Sequence, residues 1–164
     1  MLSIFYLIMS LQFYAYARKG HEFIDEVARE LSGTDIDRAG RITRCVFRAL
    51  RTKLTVAESF KLIAHLPMAM KAVYVDGWKH PGELAAVNTN SDFISEVIKE
   101  DDRSAWRDFS AEEEVKEAVS AVFRVLATHT VAGEFLNIVK VLPHELRTQL
   151  IERVSGKSAT SVDE

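Results

Sequence analysis

Two stretches of the chain, 46-VFRALRTKLTVAESFKLIAHLP-67 and 122-VFRVLATHTVAGEFLNIVKVLP-143, align without a gap when the sequence is shifted by 76 positions. Eight of the 22 aligned positions are identical, among them the Val-Phe-Arg opening and the Leu-Pro ending. Further upstream, Phe23–Val27 aligns with Phe93–Val97 at a shift of 70. Because this agreement exceeds what chance matching of apolar residues gives, we predict an internal repeat.

The punctuation inside these stretches is typical of helices. Thr55 is followed three positions later by Glu58, which is the pattern of a capping box at a helix start. Pro67 excludes the helical conformation at Leu66 but suits the first position of a new helix, so we expect a sharp corner there. Only 7 Gly and 3 Pro occur in 164 residues, few for a chain of many short strands and turns.

These signals together predict an all-α fold, a tandem repeat of two similar four-helix units with about eight helices in all. Ser110 and Glu113 predict a second capping box, at the start of the sixth helix. The predicted helices, caps included, cover about residues 12–31, 35–52, 55–66, 67–75, 92–100, 110–127, 131–141 and 143–154.

The repeat also sets the predicted organisation of the chain. We expect an N-terminal extension with the start of the first helix, a first repeat, a linker, a second repeat and a disordered tail, over residues 1–19, 20–78, 79–90, 91–155 and 156–164.

The N-terminal run Leu2–Met9 is apolar but too short for a membrane span, since Ser10 and Gln12 interrupt it. A secretory signal would place basic residues before such a run, whereas Arg18-Lys19 follows it. We favour translation from Met9 or a short extension packed on the core. A weak membrane-surface anchor and a cleaved signal stay open as alternatives.

The charge is unevenly distributed. The net charge is −3, but residues 1–82 carry +4 and residues 83–164 carry −7. The halves could dock on each other, pair head to tail between molecules, or meet different partners. The single cysteine, Cys45, allows no internal disulfide and suits a cytoplasmic location. We expect it to be a buried structural thiol.

The sharpest candidate surface is an arginine stripe on the second predicted helix. Its members are spaced three or four residues apart and share one arc of the helix; they are Arg38, Arg41, Arg44, Arg48 and Arg51. The stripe could follow a phosphate backbone or bind a carboxylate-rich protein. It could equally be a solvated face, or pair with the cluster Glu112–Glu114 of the other repeat.

A second candidate is an aromatic groove near the linker, formed by Tyr74, Trp78, Trp106 and Phe109. Aromatic residues at helix ends could line a ligand site, or seal the core or the interface between repeats. The five histidines are scattered without ligand spacing, and no phosphate loop or nucleophile elbow occurs in the sequence. We therefore predict no catalytic residues, no metal site and no cofactor.

The segment Val46–Trp78 resembles a family of small prokaryotic helical proteins, domain of unknown function 2267. The resemblance lies in Leu54-Thr55-Val56, the Leu66-Pro67 corner and the ending Tyr74-Val75-Asp76-Gly77-Trp78, and it extends over nearly the whole chain. The segment from Met9 through Gly20 is similar to the start of family members. The second repeat departs from the pattern, since Pro143 is followed by His144-Glu145-Leu146 without a Gly-Trp ending. The resemblance implies a two-repeat helical fold and no established activity.

The functional expectation is a non-enzymatic helical interaction module that binds a protein partner or another copy of itself. The alternative is weak nucleic-acid binding through the arginine stripe.

Overall fold

A computed structural model describes residues 12–79, 92–104 and 107–159, and the side chains of these up to Ser155. Within these ranges the chain forms eight helices and no strand, which confirms the predicted all-α fold. The helices are α1 (Phe13–Glu30), α2 (Ile36–Lys53), α3 (Val56–His65), α4 (Met68–Val75), α5 (Phe93–Arg103), α6 (Glu112–His129), α7 (Ala132–Val139) and α8 (His144–Ala159).

The helix starts in the first half follow the expected local chemistry. Asp35 caps α2, because its carboxylate accepts the N–H groups of Asp37 and Arg38 at 2.9 and 3.2 Å. The capping box of Thr55 and Glu58 is present at the start of α3, as predicted. Pro67 stands immediately before α4 and makes the expected corner.

The predicted capping box of Ser110 and Glu113 is wrong. Helix α6 begins at Glu112, and its N-cap residue Ala111 has no side chain that can accept an N–H. The Ser110 backbone N–H and hydroxyl instead both donate to the Glu114 carboxylate, at 2.9 Å each. The helix therefore starts later than the sequence pattern suggests, and Glu114 takes the position expected of Glu113.

Two predicted boundaries also move. Helix α5 continues to Arg103, beyond the predicted end at Glu100, and shortens the predicted loop. Helix α8 continues to Ala159, so the predicted start of the tail at residue 156 falls inside a helix. Residues 160–164, the predicted linker from residue 80 on and the apolar N-terminal residues 1–11 lie outside the described ranges.

The core is built around phenylalanines on α1, α2, α5 and α6. Phe23 of α1 packs on Phe47 of α2, with ring centroids 6.1 Å apart. Phe93 of α5 packs on Phe123 of α6 at 6.0 Å. The two pairs correspond under the sequence shifts, and all four side chains are fully buried. Fully burying each large side chain stabilises the fold by about 1.5–3 kcal/mol.

The contacts between the halves are reciprocal. Helix α2 packs on α5, α1 packs on α6, and α3 packs on α7. Arg48 of α2 pairs with Glu100 of α5 at 3.8 Å, while Arg124 of α6 pairs with Glu30 of α1. Between α3 and α7, Glu58 meets Lys140 and Lys61 meets Glu134. Ion pairs across this boundary thus run in both directions, although the two halves differ in net charge.

Candidate interaction site

Two members of the arginine stripe are held by the segment between α5 and α6. The Arg41 guanidinium donates to both carboxylate oxygens of Asp108, at 2.8 Å each. Arg38 donates to the backbone carbonyl oxygen of the same residue at 2.8 Å. The hydrogen bond to Asp108 raises the pKa of Arg41 above its ordinary value. A bidentate pair of this kind is stronger and more directional than a single contact.

Asp108 is itself positioned by a buried carboxylate. Asp101, on α5, is only 4% exposed and accepts the backbone N–H groups of Asp108 and Phe109 at 3.1 and 3.4 Å. These bonds fix the backbone of the segment after Arg107, whose φ of 45° lies in the left-handed region. Asp108 is therefore a positioned partner of the arginine stripe, because hydrogen bonds to Asp101 hold its backbone in place.

Two further arginines of the stripe bind groups of the same chain. Arg48 pairs with Glu100, whose carboxylate also accepts from Arg103. Arg51 donates to the carbonyl oxygens of Tyr74 and Asp76 at the end of α4, at 2.8 Å each. Burial lowers the pKa of Arg51. Both arginines therefore join helices of the fold.

Arg44 differs from the other four. It is exposed, and among the described residues none forms a hydrogen bond or an ion pair with it. Asp108 and Glu100 pair with stripe side chains, and both lie outside the cluster Glu112–Glu114 that one alternative named. Within that cluster Glu112 and Glu113 pair with Lys116 at 3.1 and 2.9 Å. The stripe is thus mainly a set of internal contacts with one exposed cation.

Three of the four residues of the candidate aromatic groove lie within the described ranges. Tyr74 is fully buried, and its hydroxyl lies 2.9 Å from the Ser59 hydroxyl. Burial raises the pKa of Tyr74 to about 12. Trp78 is half-buried and packs edge-on against Tyr74, while Phe109 packs on the core from its own segment. Trp106 lies outside the described residues. Tyr74, Trp78 and Phe109 therefore pack as residues that seal the core.

The remaining candidate features are the Cys45 thiol, clusters of metal-binding side chains and helices that could cross a membrane. Cys45 is buried, and burial raises the pKa of its thiol to about 12, so the nucleophilic thiolate is disfavoured. In the described ranges no three His, Cys, Asp or Glu side chains stand close enough to hold a metal ion. No described helix combines the length and the apolar character needed to cross a membrane.

A groove that the sequence analysis missed lies between α1, α2 and α4. It encloses about 660 Å³, and we call it the first groove. Its floor is apolar, formed by Ile24 of α1 with Met70 and Val73 of α4. Gly40 and Arg44 of α2 form one wall, with Asp37 nearer the start of that helix. A volume of this size lies in the range of ligand sites in proteins.

Two glycines shape the first groove in different ways. At Gly20 a Cβ atom would lie 2.7 Å from the Ala69 Cβ, so the glycine lets α1 approach α4 closely. At Gly40 a Cβ would meet nothing within 4 Å. Gly20 therefore fixes the floor, whereas Gly40 leaves space in the wall that a side chain could fill.

A smaller cavity of about 240 Å³ lies between α6 and α8, and we call it the second groove. Under the shift of 76, seven of its eight lining residues correspond to residues that line the first groove. These residues of the first groove lie on α2 and α4 and are Asp37, Gly40, Arg41, Arg44, Ala69, Met70 and Val73. Their counterparts in the second are Glu113, Lys116, Glu117, Ser120, Glu145, Leu146 and Gln149.

The chemistry of the two grooves has diverged. The second groove has glutamates where the first has Arg41 and Ala69, and a lysine where the first has Gly40. Aligning the repeats could have shown these differences. Which of the positions are exposed and enclose a groove depends on how α1 crosses α4, and no sequence motif reports that.

The fold and the first groove define an all-helical protein of eight described helices with an open groove in its first half. The chain belongs to the family described as "Uncharacterized conserved protein (DUF2267)", whose model matches residues 20–149. This confirms the resemblance found in the sequence. No curated protein matches the chain.

Proposed function

We propose that this protein is a non-enzymatic interaction module that binds a partner protein through the first groove. The observation that carries the proposal is an apolar floor of Ile24, Met70 and Val73 open beside Arg44. Arg44 is the stripe member that forms no hydrogen bond or ion pair with the described residues, so its guanidinium is available to a partner. Interfaces commonly combine such an apolar centre with a charged edge.

A second part of the proposal is that the two halves are copies of one helical unit. Its support is the reciprocity of the contacts: the pair Arg48–Glu100 corresponds to the pair Arg124–Glu30 under the sequence shifts. In a two-fold interface each contact occurs twice, because each residue of one half contacts the same counterpart residue of the other half. A duplicated unit explains why two grooves exist and why only one needs to bind.

Weak nucleic-acid binding by the arginine stripe has less support than protein binding. Four of the five guanidinium groups already bind carboxylates or carbonyl oxygens of the same chain. Neutralising a phosphate backbone needs several free cations along one line. Arg44→Glu tests this alternative cleanly, whereas Arg41→Glu would also break the pair with Asp108.

We also propose that the protein has no enzymatic activity and lies in the cytoplasm. The support for the first point is that burial raises the pKa of Cys45, the single thiol, and so keeps it protonated. A nucleophilic cysteine needs an accessible, electropositive surrounding that stabilises the thiolate.

The test compares two glycine-to-tryptophan variants of the full chain. Gly40→Trp fills the first groove, while Gly133→Trp adds the same side chain at a helical glycine with equally open surroundings. Affinity capture from the source organism, quantified by mass spectrometry, should recover a partner with wild type and Gly133→Trp and lose it with Gly40→Trp. Recovery of the same partners by all three proteins would contradict groove binding.

The oligomeric state tests the remaining form of the proposal, in which the partner is another copy of the chain. If a second copy is the partner, light scattering over a range of concentrations will show an association that Gly40→Trp abolishes and Gly133→Trp leaves intact, whereas a separate partner protein predicts a monomer. A monomer at every concentration that also captures no partner would remove the support for an interaction module.

A further inference from the structure

The first groove has a polarity along α2. Asp37 and Arg44 both line it, and they are seven residues apart, about 10 Å along a helix. Between them Gly40 leaves space and Arg41, which Asp108 holds, also lines the groove, while the apolar floor lies opposite. One end of the groove therefore carries a carboxylate, and the other end carries the exposed guanidinium of Arg44.

The shape suits a helix better than a flat or extended ligand. The groove is open, is bounded by three helices and has a floor of branched and flexible apolar side chains, Ile24, Val73 and Met70. Amphipathic helices bind such grooves by inserting apolar side chains spaced three or four residues apart. A methionine in the floor adapts to the shape of the inserted side chain.

We infer that the occupant of the first groove is an amphipathic helix of a partner protein that presents a carboxylate to Arg44. This inference rests on the proposed function and names the partner's chemistry. A guanidinium that forms no hydrogen bond or ion pair with the described residues can donate two hydrogen bonds to one carboxylate. One or two helical turns from that carboxylate, apolar side chains of the partner helix pack on the floor of the groove. The partner has no carboxylate opposite Asp37, because two carboxylates would repel each other there.

A second copy of this chain fits the groove less well. The first groove would have to meet a different surface of the other copy, and contacts of that kind close into rings or continue as filaments. The corresponding groove of the second half, with Glu113, Glu117 and Glu145 in its lining, is itself concave and cannot fill the first. A separate helix from a partner meets neither difficulty.

The experiment selects helical peptides against the full chain. The probe is a displayed library of peptides of about 16 residues, four helical turns, with an Ala/Gln framework randomised on one face. Wild type is the target, and peptides that also bind Gly40→Trp are removed. Ala17→Trp, on the α1 side of the same groove, is a second blocking variant in case Gly40→Trp is poorly folded.

The expected result is a set of peptides with two large apolar residues at helical spacing and Asp or Glu one or two turns away. Selected peptides should bind Arg44→Glu at least tenfold more weakly, and a selection against Arg44→Glu should enrich Lys or Arg instead. Arg153→Glu makes the same charge change at an exposed residue of α8 and should leave binding unchanged.

Other outcomes separate the two proposals. One outcome is that the peptides fail to bind the blocking variants but carry the same charges whether wild type or Arg44→Glu is the target. This outcome would overturn the inference and leave the proposed function standing. Failure to recover any groove-dependent peptide would count against both the inference and groove binding. A self-association abolished by Gly40→Trp would overturn the inference by making a second copy the occupant.

Discussion

The two grooves occupy corresponding positions in the two halves but differ in size and chemistry. The first is larger, apolar in its floor and carries the exposed Arg44, whereas the second has Ser120 at that position and Leu146 as its sole large aliphatic residue. In the first, α1 supplies a third side through Ala17, Gly20 and Ile24. The two halves therefore differ in the residues that line their grooves, although the grooves lie at corresponding positions of the sequence.

The cores of the two halves have changed much less. Buried positions of one half correspond to buried positions of the other, as with Leu50 and Leu126 or Leu66 and Leu142. One difference is informative: the hydrogen-bonded residues Ser59 and Tyr74 correspond to Phe135 and Leu150, which are both apolar and buried. The first half therefore has a buried polar pair where the second half has only apolar side chains.

The largest expected effect comes from the contact that fixes Arg41 at the edge of the first groove. Asp108→Ala leaves a partly buried guanidinium without its carboxylate, so the free energy of unfolding should fall by about 3 kcal/mol. Urea denaturation measures it, and Asp102→Ala, at an exposed carboxylate of α5, is the control. Equal, small effects in both variants would mean that the pair of Arg41 and Asp108 does not hold the halves together.

A smaller effect tests the polar pair in the core of the first half. Tyr74→Phe leaves the buried Ser59 hydroxyl without its partner and should lower the free energy of unfolding by about 1 kcal/mol. Adding Ser59→Ala should recover much of that loss, because neither polar group is then left unsatisfied. Additive losses in the double variant would show that the two hydroxyls are not coupled.

The two halves differ in the N-cap residue of a corresponding helix, and substitution can exchange the two residue types. Thr55 caps α3 with Glu58, whereas the corresponding α7 starts after Val131, which has no capping hydrogen bond, and keeps Glu134 at the matching position. Thr55→Val should therefore destabilise the protein by about 1 kcal/mol, and Val131→Thr should stabilise it by a similar amount. Thermal unfolding measures both, and no gain from Val131→Thr would show that α7 starts with a different geometry.

The smallest effect is a pH dependence at Glu58. Burial alone would raise the pKa of this carboxyl, but hydrogen bonds from Lys140 and Thr55 lower it below its ordinary value of 4.5. The stabilisation is therefore complete above that value and is lost as the pH falls through the lower pKa of the folded state. Comparing the unfolding of wild type and Glu58→Gln from pH 7 to pH 3 should show the difference narrowing at low pH. A constant difference would contradict the assignment.

The fold could be predicted from the sequence because its signals are local. The capping box at Thr55, the Leu66-Pro67 corner and the repeated Val-Phe-Arg pattern all report on neighbouring residues, and the helices lie where they indicate. The predicted capping box at Ser110 is wrong because Glu114, one position further along, accepts both Ser110 donors, while Glu113 pairs with Lys116.

The site could not be predicted in the same way. Five arginines on one helix face look equivalent in the sequence, yet Arg41 pairs with Asp108, 67 positions away, while Arg44 forms no hydrogen bond or ion pair with the described residues. Tyr74 has the features of a groove residue, but its place opposite Ser59 buries it. The first groove depends on the close crossing of α1 and α4 at Gly20, a tertiary contact that no local pattern contains.

The most direct test of the proposal places a photoreactive phenylalanine analogue at Val73 in the first groove and, separately, at the corresponding Gln149 in the second. After irradiation in cells of the source organism, the account predicts a cross-linked partner from position 73, abolished by Gly40→Trp, and none from position 149. Cross-linking of the same partner from both positions, or from position 149 alone, would contradict the claim that the first groove is the binding site.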